Sequence, residues 1–216
     1  MRPAGRDDSA FLALAMQEAD RGHTGIGSWD VMFPGPDEDR LAVLAALAGT
    51  TQPSYVHWST FLIAEIDGRP VGTVAGYVPE LMTAECFAAA CREVLGGGAD
   101  ARLGEGGAWS RDYFTVDIPR DTLRVEWVYT DPGMRATGVS SSLIARLLDG
   151  ARADGLATAH VGTYIGNAPA IATYRRAGFE AFAELRHLDY ERRFKTPGLV
   201  FLRRDLSTGE PAGHRK

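Results

Sequence analysis

One stretch constrains the fold of this chain more than any other, residues 123–155, with the sequence LRVEWVYTDPGMRATGVSSSLIARLLDGARADG. Leu123–Tyr129 is rich in apolar and aromatic residues and predicts a buried strand, and Pro132-Gly133 predicts a turn. From Val139 to Ala151 apolar residues recur at three- to five-residue intervals, with charged residues between them. This periodicity predicts an amphipathic helix with one face on a sheet. The stretch is therefore predicted to form a strand, a loop and a helix.

The loop between this strand and helix, residues 135–140, is a candidate ligand-binding site. Gly138 allows another molecule to approach the backbone closely, and Ser140 follows where the first N–H groups of the helix lack partners within the helix. Such a helix start attracts anions, and phosphate above all. An ordinary strand-to-helix turn capped by serine explains the loop alone equally well.

Composition limits the classes of partner. With 216 residues, 45% of them hydrophobic, the chain can form one domain with a substantial core, or one domain with an insertion. Its formal charge of -5 argues against nucleic acid as a partner, because nucleic-acid-binding proteins usually carry a basic surface. The charge suits a cationic or amine-bearing substrate.

The sequence predicts a reducing compartment and no membrane-spanning segment. Cys86 and Cys91 are the two cysteines, and on a helix their five-residue separation turns them apart, so we expect reduced thiols. No apolar run reaches the roughly 18 residues that span a bilayer. The N-terminal segment MRPAGRDDSA lacks the apolar core of a signal peptide, so the predicted location is the cytoplasm.

The rest of the chain gives a coarse order of elements. Helices are predicted at 10–21, 38–48, 80–95 and 168–177, and strands at 58–66, 70–78, 157–164, 179–190 and 198–206. Asp67-Gly68 predicts a hairpin turn. A glycine-rich insertion is placed around 80–122, and the tail 207–216 is expected to be disordered.

A loop rich in glycine and proline, residues 22–36, carries Trp29 and Asp30. An apolar ring in a loop either closes the edge of a core or lines a pocket. Trp29 and Asp30 are therefore candidates for binding a cationic substrate, although an exposed carboxylate without a partner is the more common role for a residue such as Asp30.

Two blocks of sequence resemble a known family. VYTDPGMRATGVS is similar to the strand-end proline and Arg-x-x-Gly-x-Gly/Ala motif of the GNAT superfamily of acetyl-CoA-dependent N-acetyltransferases, and NAPAIATYRRAGF is similar to its Asn, Tyr and Gly-Phe block. Together the blocks cover Leu123 to Phe179. Ser140 departs from the motif, which has glycine or alanine there. The resemblance implies an α/β (α+β) GNAT-type fold, a mixed, mostly antiparallel twisted sheet flanked by helices, in a single domain over 1–206.

The resemblance also implies acetyl-CoA as cofactor, with no metal. The pyrophosphate would lie on the loop amides, and the pantetheine arm would pair with the end of the strand. The implied cofactor-binding residues are Val128, Tyr129, Thr130, Arg135, Ala136, Thr137, Gly138, Val139, Ser140, Ser141, Asn167 and Tyr174.

Catalysis by direct transfer to an amine requires a base, because an ammonium ion is not a nucleophile. Glu126 is the candidate base, two residues before the cofactor-contacting segment and predicted to lie on the opposite strand face from Trp127. A structural salt bridge is its alternative role. Tyr174 is the candidate acid that protonates the departing thiolate, with a place in the core as its alternative.

Three functional classes remain. The first is an N-acetyltransferase that acts on the amine of a small molecule or peptide. The second is a regulatory module that binds CoA without catalysis; the presence of both Glu126 and Tyr174 favours the enzyme. A nucleotide-binding domain ranks last, because the loop lacks the Gly-Lys-Ser/Thr or three-glycine patterns. A homodimer is an option that the sequence leaves open.

Overall fold

The computed structural model describes residues 1–99, 118–119 and 121–207. The strands are β1 (Arg2–Pro3), β2 (Phe61–Ile66), β3 (Arg69–Tyr77), β4 (Thr122–Thr130), β5 (Thr158–Tyr164), β6 (Glu180–Arg186) and β7 (Gly198–Asp205). The α-helices are α1 (Ser9–Arg21), α2 (Ser28–Met32), α3 (Asp37–Ala48), α4 (Ala84–Leu95), α5 (Val139–Ala153), α6 (Ala168–Arg176) and α7 (Leu188–Phe194).

The described strands form one sheet in the order β1-β2-β3-β4-β5-β7-β6. Neighbouring strands run antiparallel, except β4 and β5, which run parallel. A parallel pair needs a crossover connection, and α5 supplies it by carrying the chain from the end of β4 back to the start of β5. The predicted mixed, mostly antiparallel sheet is confirmed.

The hairpin between β2 and β3 shows why the sequence specifies this register. Asp67 and Gly68 have φ angles of 51° and 74°, which is the backbone of a two-residue hairpin turn. Ile66 pairs directly with Arg69 across that turn.

Helices cover both faces of the sheet. Val74 and Ala75 of β3 belong to different buried clusters, because successive strand residues point to opposite faces. On one face the cluster includes residues of α1, α3 and β2: Leu12, Met16, Leu44, Leu47 and Ile63. On the other it includes residues of α5, β4 and β5: Leu143, Ile144, Leu148, Val125 and Val161.

Helix α5 lies unusually close to β3, because two glycines face it. A Cβ on Gly72 would lie 2.6 Å from Cγ1 of Val139, and a Cβ on Gly76 would lie 2.5 Å from Cδ1 of Leu147. The start and the middle of α5 therefore pack directly against the backbone of β3 rather than against side chains.

Two predicted strands are shorter than expected. The strand predicted from Trp58 begins at Phe61, because Trp58–Thr60 forms a 3-10 turn that His57 caps. The strand predicted to reach Tyr190 ends at Arg186, and α7 follows. The spacing of Tyr190 and Phe194, both buried on the same face of α7, was the missed helical signal.

The predicted helix at 80–95 begins later, at Ala84, where Thr83 caps it. Cys86 and Cys91 on this helix are both free thiols. Residues 100–117 of the predicted insertion and 208–216 of the predicted tail lie outside the described residues. The predicted domain bounds therefore stay a prediction.

Candidate active site

A cleft opens where β4 and β5 separate. The two strands pair from Thr122 opposite Thr158 to Val125 opposite Val161. Beyond this point β4 continues to pair with β3, and β5 continues to pair with β7, so the two halves of the sheet diverge. The resulting cleft has a volume of about 960 Å³. Among the described strands, none pairs with the β4 backbone of residues 126–130 on the β5 side.

The cleft brings together nearly all the predicted cofactor residues. Those that line it are Val128, Tyr129, Thr130, Arg135, Ala136, Gly138, Val139, Ser140, Ser141, Asn167 and Tyr174. Thr137 is the exception among the predicted set. Its hydroxyl donates to the carbonyl of Met134 at 2.6 Å, which closes the turn away from the cleft.

The loop before α5 presents its backbone to the cleft. Gly138 has a left-handed φ of 90° with open space at its Cβ position, and the amide of Ser142 donates to its carbonyl to begin the helix. The amides of Val139, Ser140 and Ser141 precede that first helical hydrogen bond. Exposed amides at the start of a 15-residue helix form a suitable cradle for a phosphate group.

Ser140 also has a structural role. Its hydroxyl lies 2.6 Å from the hydroxyl of Thr130, so it ties the start of α5 to the end of β4. This contact accounts for serine at a position where the family motif has a smaller residue. The hydroxyl pair lies in the cleft wall.

A bulge in β4 corrects one expectation about Glu126. Two β4 residues, Trp127 and Val128, oppose the single residue Val74, and Trp127 has a φ of 51°. The extra residue shifts the alternation, so Trp127 packs against Trp29 on the α1 side while Val128 packs on the α5 side. Glu126 pairs with Ala75, which belongs to the buried cluster that Trp127 packs against, so the prediction that Glu126 and Trp127 face opposite ways is wrong.

Glu126 forms an ion pair within the cleft. The Nε of Arg124 donates to its Oε1 at 2.9 Å, and the two side chains are 12% and 22% exposed. Arg124 was missed by sequence reasoning, although its position two residues before Glu126 on one strand places both on the same face. The guanidinium also lies 5.9 Å from the ring centroid of Phe201.

Tyr174 and Asn167 reach the cleft from α6. Tyr174 is 7% exposed, with its ring edge against Phe179. Burial, and then the negative charge of Glu126, raises the pKa of its phenol, so it keeps its proton at neutral pH. Asn167 donates to the hydroxyl of Thr163 at 3.1 Å and caps α6.

Asp20, in the last turn of α1, is the residue that sequence reasoning missed most completely. It lines the cleft and accepts hydrogen bonds from the Trp29 amide and the Ser28 hydroxyl, both at 2.8 Å. Burial raises the pKa of its carboxyl to about 7, against the opposing effect of these two donors. No motif marks Asp20, because its environment comes from residues distant in the sequence.

The predicted substrate residues, Trp29 and Asp30, do not line the cleft. They lie on α2 rather than in a loop, and this helix turns Trp29 inward until it is 3% exposed. The carboxylate of Asp30 is engaged by Arg21 at 2.7 Å and by Arg40 at 2.8 Å. Trp29 instead packs behind two residues of the cleft. Its ring contacts Trp127, and its backbone amide donates a hydrogen bond to Asp20.

In the described ranges, no group of three or more histidine, cysteine, aspartate or glutamate side chains is arranged to hold a metal ion. Each described helix falls short of the length and apolar character that a membrane span requires.

Comparison with known proteins gives the class of this molecule. The model of the acetyltransferase (GNAT) family matches residues 29–179. The chain belongs to the GNAT family of acetyltransferases, and its seven-stranded mixed sheet flanked by helices is the GNAT fold. Among curated protein sequences none matches this chain.

Solved structures share the fold at low sequence identity. An acetyltransferase crystal structure is similar with a TM-score of 0.68, 16% identity and coverage of 95% of this chain and 98% of that one. An N-acetyltransferase from Staphylococcus aureus Mu50 has a TM-score of 0.62, 14% identity and coverage of 94% and 98%. The yncA structure from Salmonella typhimurium, which contains its cofactor acetyl-CoA, has a TM-score of 0.55, 19% identity and coverage of 99% and 97%.

Proposed function

We propose that this protein transfers the acetyl group of acetyl-CoA directly to an amine of a small molecule or a peptide, with both substrates bound at once. The observation that carries the proposal is the convergence on one cleft of an unpaired strand edge, a helix-start amide cradle and two ionisable side chains, Glu126 and Tyr174. Acetyl-CoA supplies an activated thioester. The residues of the chain position this thioester and transfer protons to and from the reacting atoms.

The cradle residues fit the cofactor's phosphates. The amides of Val139, Ser140 and Ser141 precede the first helical hydrogen bond, and the open space at Gly138 lets an anion come close to the backbone. Arg135 lines the same end of the cleft and adds a positive charge. The free edge of β4 at residues 128–130 offers N–H and C=O groups to the amides of a pantetheine arm, as a neighbouring strand would.

The reactive end lies beyond the pairing point of β4 and β5. An amide of β4 near Val128 stabilises negative charge on the acetyl carbonyl oxygen. Tyr174, which keeps its proton at neutral pH, donates it to the departing sulfur. Asn167 orients the thioester end, and Glu126 contributes negative charge where the acceptor nitrogen arrives.

The acceptor side of the cleft is acidic and aromatic. Asp20 and Glu126 line it together with the ring of Trp127. A protonated amine with an apolar body matches these groups, through charge and through contact of the cation with the ring. A homodimer and a cytoplasmic location stay predictions from the sequence.

The test is an assay of thiol release from acetyl-CoA with a panel of amines: phenethylamine, tyramine, spermidine, and short peptides with free alanine or serine N-termini. Tyr174→Phe should lower kcat about 100-fold with the fastest amine of the panel and leave acetyl-CoA affinity within a few-fold. This separation is expected because the phenol acts on the leaving group rather than on cofactor binding.

Tyr190→Phe is the matched control, because it removes a phenol that is buried outside the cleft. Full activity of Tyr174→Phe would contradict the general-acid role. Tight acetyl-CoA binding by the wild-type protein without thiol release on any amine would favour a regulatory CoA-binding module instead.

A further inference from the structure

We propose that Asp20 of α1, rather than Glu126, takes the proton from the acceptor ammonium and so acts as the general base. This inference rests on the proposed acetyl transfer and assigns its base to a residue outside both family-like sequence blocks. It also sets the substrate class, which is an amine that enters from the α1 and α2 side as a cation.

The position of Asp20 is fixed by three neighbouring residues. The amide of Trp29 and the hydroxyl of Ser28 each donate to one carboxylate oxygen at 2.8 Å. A Cβ on Gly27 would overlap the carboxylate, so glycine at this position allows Asp20 to reach the start of α2. Each carboxylate oxygen has a second lone pair, and the cleft that Asp20 lines gives an acceptor nitrogen access to it.

Glu126 is less suited to the role of base because its carboxylate already forms an ion pair. Its carboxylate is paired with Arg124 at 2.9 Å, and that guanidinium is itself largely buried. Among the described residues no arginine, lysine or histidine forms an ion pair with Asp20, and its two hydrogen-bond donors, the Ser28 hydroxyl and the Trp29 amide, are both neutral. A base with neutral partners gives up less stabilisation when it accepts a proton than one held by a guanidinium.

Charged and titratable groups on several neighbouring elements interact with the Asp20 carboxylate. Asp30 on α2 and Glu126 on β4 add negative charge, and both raise the pKa of Asp20 after the larger effect of burial. The phenols of Tyr55 and Tyr164 also interact electrostatically with Asp20. A carboxylate with a pKa of about 7 is matched to proton transfer at neutral pH.

Acetyl transfer replaces a carbon–sulfur bond with a carbon–nitrogen bond. One ammonium proton passes to the Asp20 carboxylate, the nitrogen forms a bond to the acetyl carbon, and the bond from that carbon to sulfur breaks. The Tyr174 proton goes to the sulfur, and the second nitrogen proton returns to the tyrosine by way of solvent. Asp20 then releases its proton to solvent.

The first measurement compares wild-type protein and Asp20→Asn by kcat/KM from pH 5.5 to 9, with the fastest amine of the panel as probe. The ratio of the two values cancels the titration of the amine itself. It should reach about 100-fold at pH 8 and fall with decreasing pH through a midpoint near 7. Asn retains the shape of the side chain and an oxygen for the Trp29 amide.

Two further variants separate a catalytic from a structural role. Asp39→Asn removes an exposed carboxylate of α3 by the same substitution and should keep the wild-type profile. Ser28→Ala removes a hydrogen bond that lowers the pKa of Asp20, so it should move the acidic limb of the profile to higher pH while activity at pH 9 is retained. An Asp20 that merely capped α2 would leave the position of that limb unchanged.

A second measurement does not depend on turnover. The backbone amide of Trp29 donates to Asp20, so its 15N–1H shift in the acetyl-CoA-loaded protein should titrate with a midpoint near 7. Absence of that transition, or an Asp20→Asn variant within threefold of wild type at pH 8, would overturn the proposal. Wild-type protein that shows the transition but acetylates no amine would contradict the acetyl transfer, and the base role with it.

Discussion

A partly buried carboxylate such as Asp20 has a cost for folding that a catalytic role can explain. Its pKa of about 7 in the folded protein lies above the ordinary value near 4, so folding favours the protonated form. The contribution of this group to stability is full below about pH 4 and is lost as the pH rises through about 7. At pH 8 the folded protein therefore holds an unfavourable charge.

We predict that Asp20→Asn stabilises the folded protein at pH 8, by on the order of 2 kcal/mol, with a smaller gain at pH 5. The reason is that asparagine fills the same space without the charge. Urea denaturation at the two pH values measures the difference. A loss of stability at pH 8, or the same gain from Asp39→Asn, would show that the charge of Asp20 does not destabilise the folded protein.

Gly27 gives a second prediction at the scale of one residue. Gly27→Ala should destabilise the protein by about 1–3 kcal/mol, because its Cβ would overlap the Asp20 carboxylate and the backbone behind it. Gly150→Ala is the matched control, since Gly150 lies within α5 with open space at its Cβ position, and it should stabilise by about 0.5–1 kcal/mol. Thermal unfolding of the two variants checks both signs.

At this scale the sequence predicted the residues that sit in recognisable local patterns. The loop around Gly138 was predicted because strand, loop and helix follow one another directly in the chain, and the resemblance of NAPAIATYRRAGF to a family block implied Asn167 and Tyr174. Asp20 could not be predicted, because its burial depends on α2 and β4, which are distant in sequence. Arg124 could have been found from strand alternation with Glu126.

Among the elements, α5 is the one whose start forms the proposed phosphate cradle. Its first residue, Val139, rests on Gly72, whereas Leu147 in its middle rests on Gly76. The end of β4 is tied to the same helix start through the hydroxyls of Thr130 and Ser140. The cradle is therefore positioned by β3 and β4 together.

A matched pair of substitutions on β3 tests this arrangement. Gly72→Ala should raise the Kd for acetyl-CoA about tenfold, because its Cβ would push Val139 and the helix start away from the cleft. Gly76→Ala should leave that Kd within about twofold, since the far end of the flexible Leu147 side chain can move instead. Calorimetric titration with acetyl-CoA measures both, and equal effects would mean that the seat of α5 does not set the cradle.

Elements were predicted well where short-range chemistry dictated them. The Asp67-Gly68 hairpin and the capped helix after Asn167 are local, and both are confirmed in the structure. Helix α7 was missed because residues 179–190 were predicted as a single strand, although Tyr190 and Phe194 bury one helical face. The bulge at Trp127 depends on pairing with β3 and leaves no mark in the sequence of β4 alone.

For the whole molecule, the divergence of β4 and β5 creates the one cleft that both proposed substrates share. The α5 side carries the proposed phosphate cradle, and the α1 side carries Asp20 and Glu126, with the cleft passing between the strands. The mixed, mostly antiparallel sheet was predicted from the family resemblance rather than from periodicity, because patterns along the chain do not determine which strands become neighbours. The acidic character of the α1 side agrees with an overall formal charge of -5.

Both proposals depend on the binding of acetyl-CoA in this cleft through the loop before α5. Isothermal titration of the purified protein with acetyl-CoA, CoA and ATP measures this binding, with Gly138→Asp as the variant. We expect one acetyl-CoA per chain, comparable binding of CoA, little heat from ATP, and a loss of affinity of tenfold or more in Gly138→Asp, where a side chain and a negative charge enter the cradle. No binding of acetyl-CoA, or equal binding by Gly138→Asp, would contradict it.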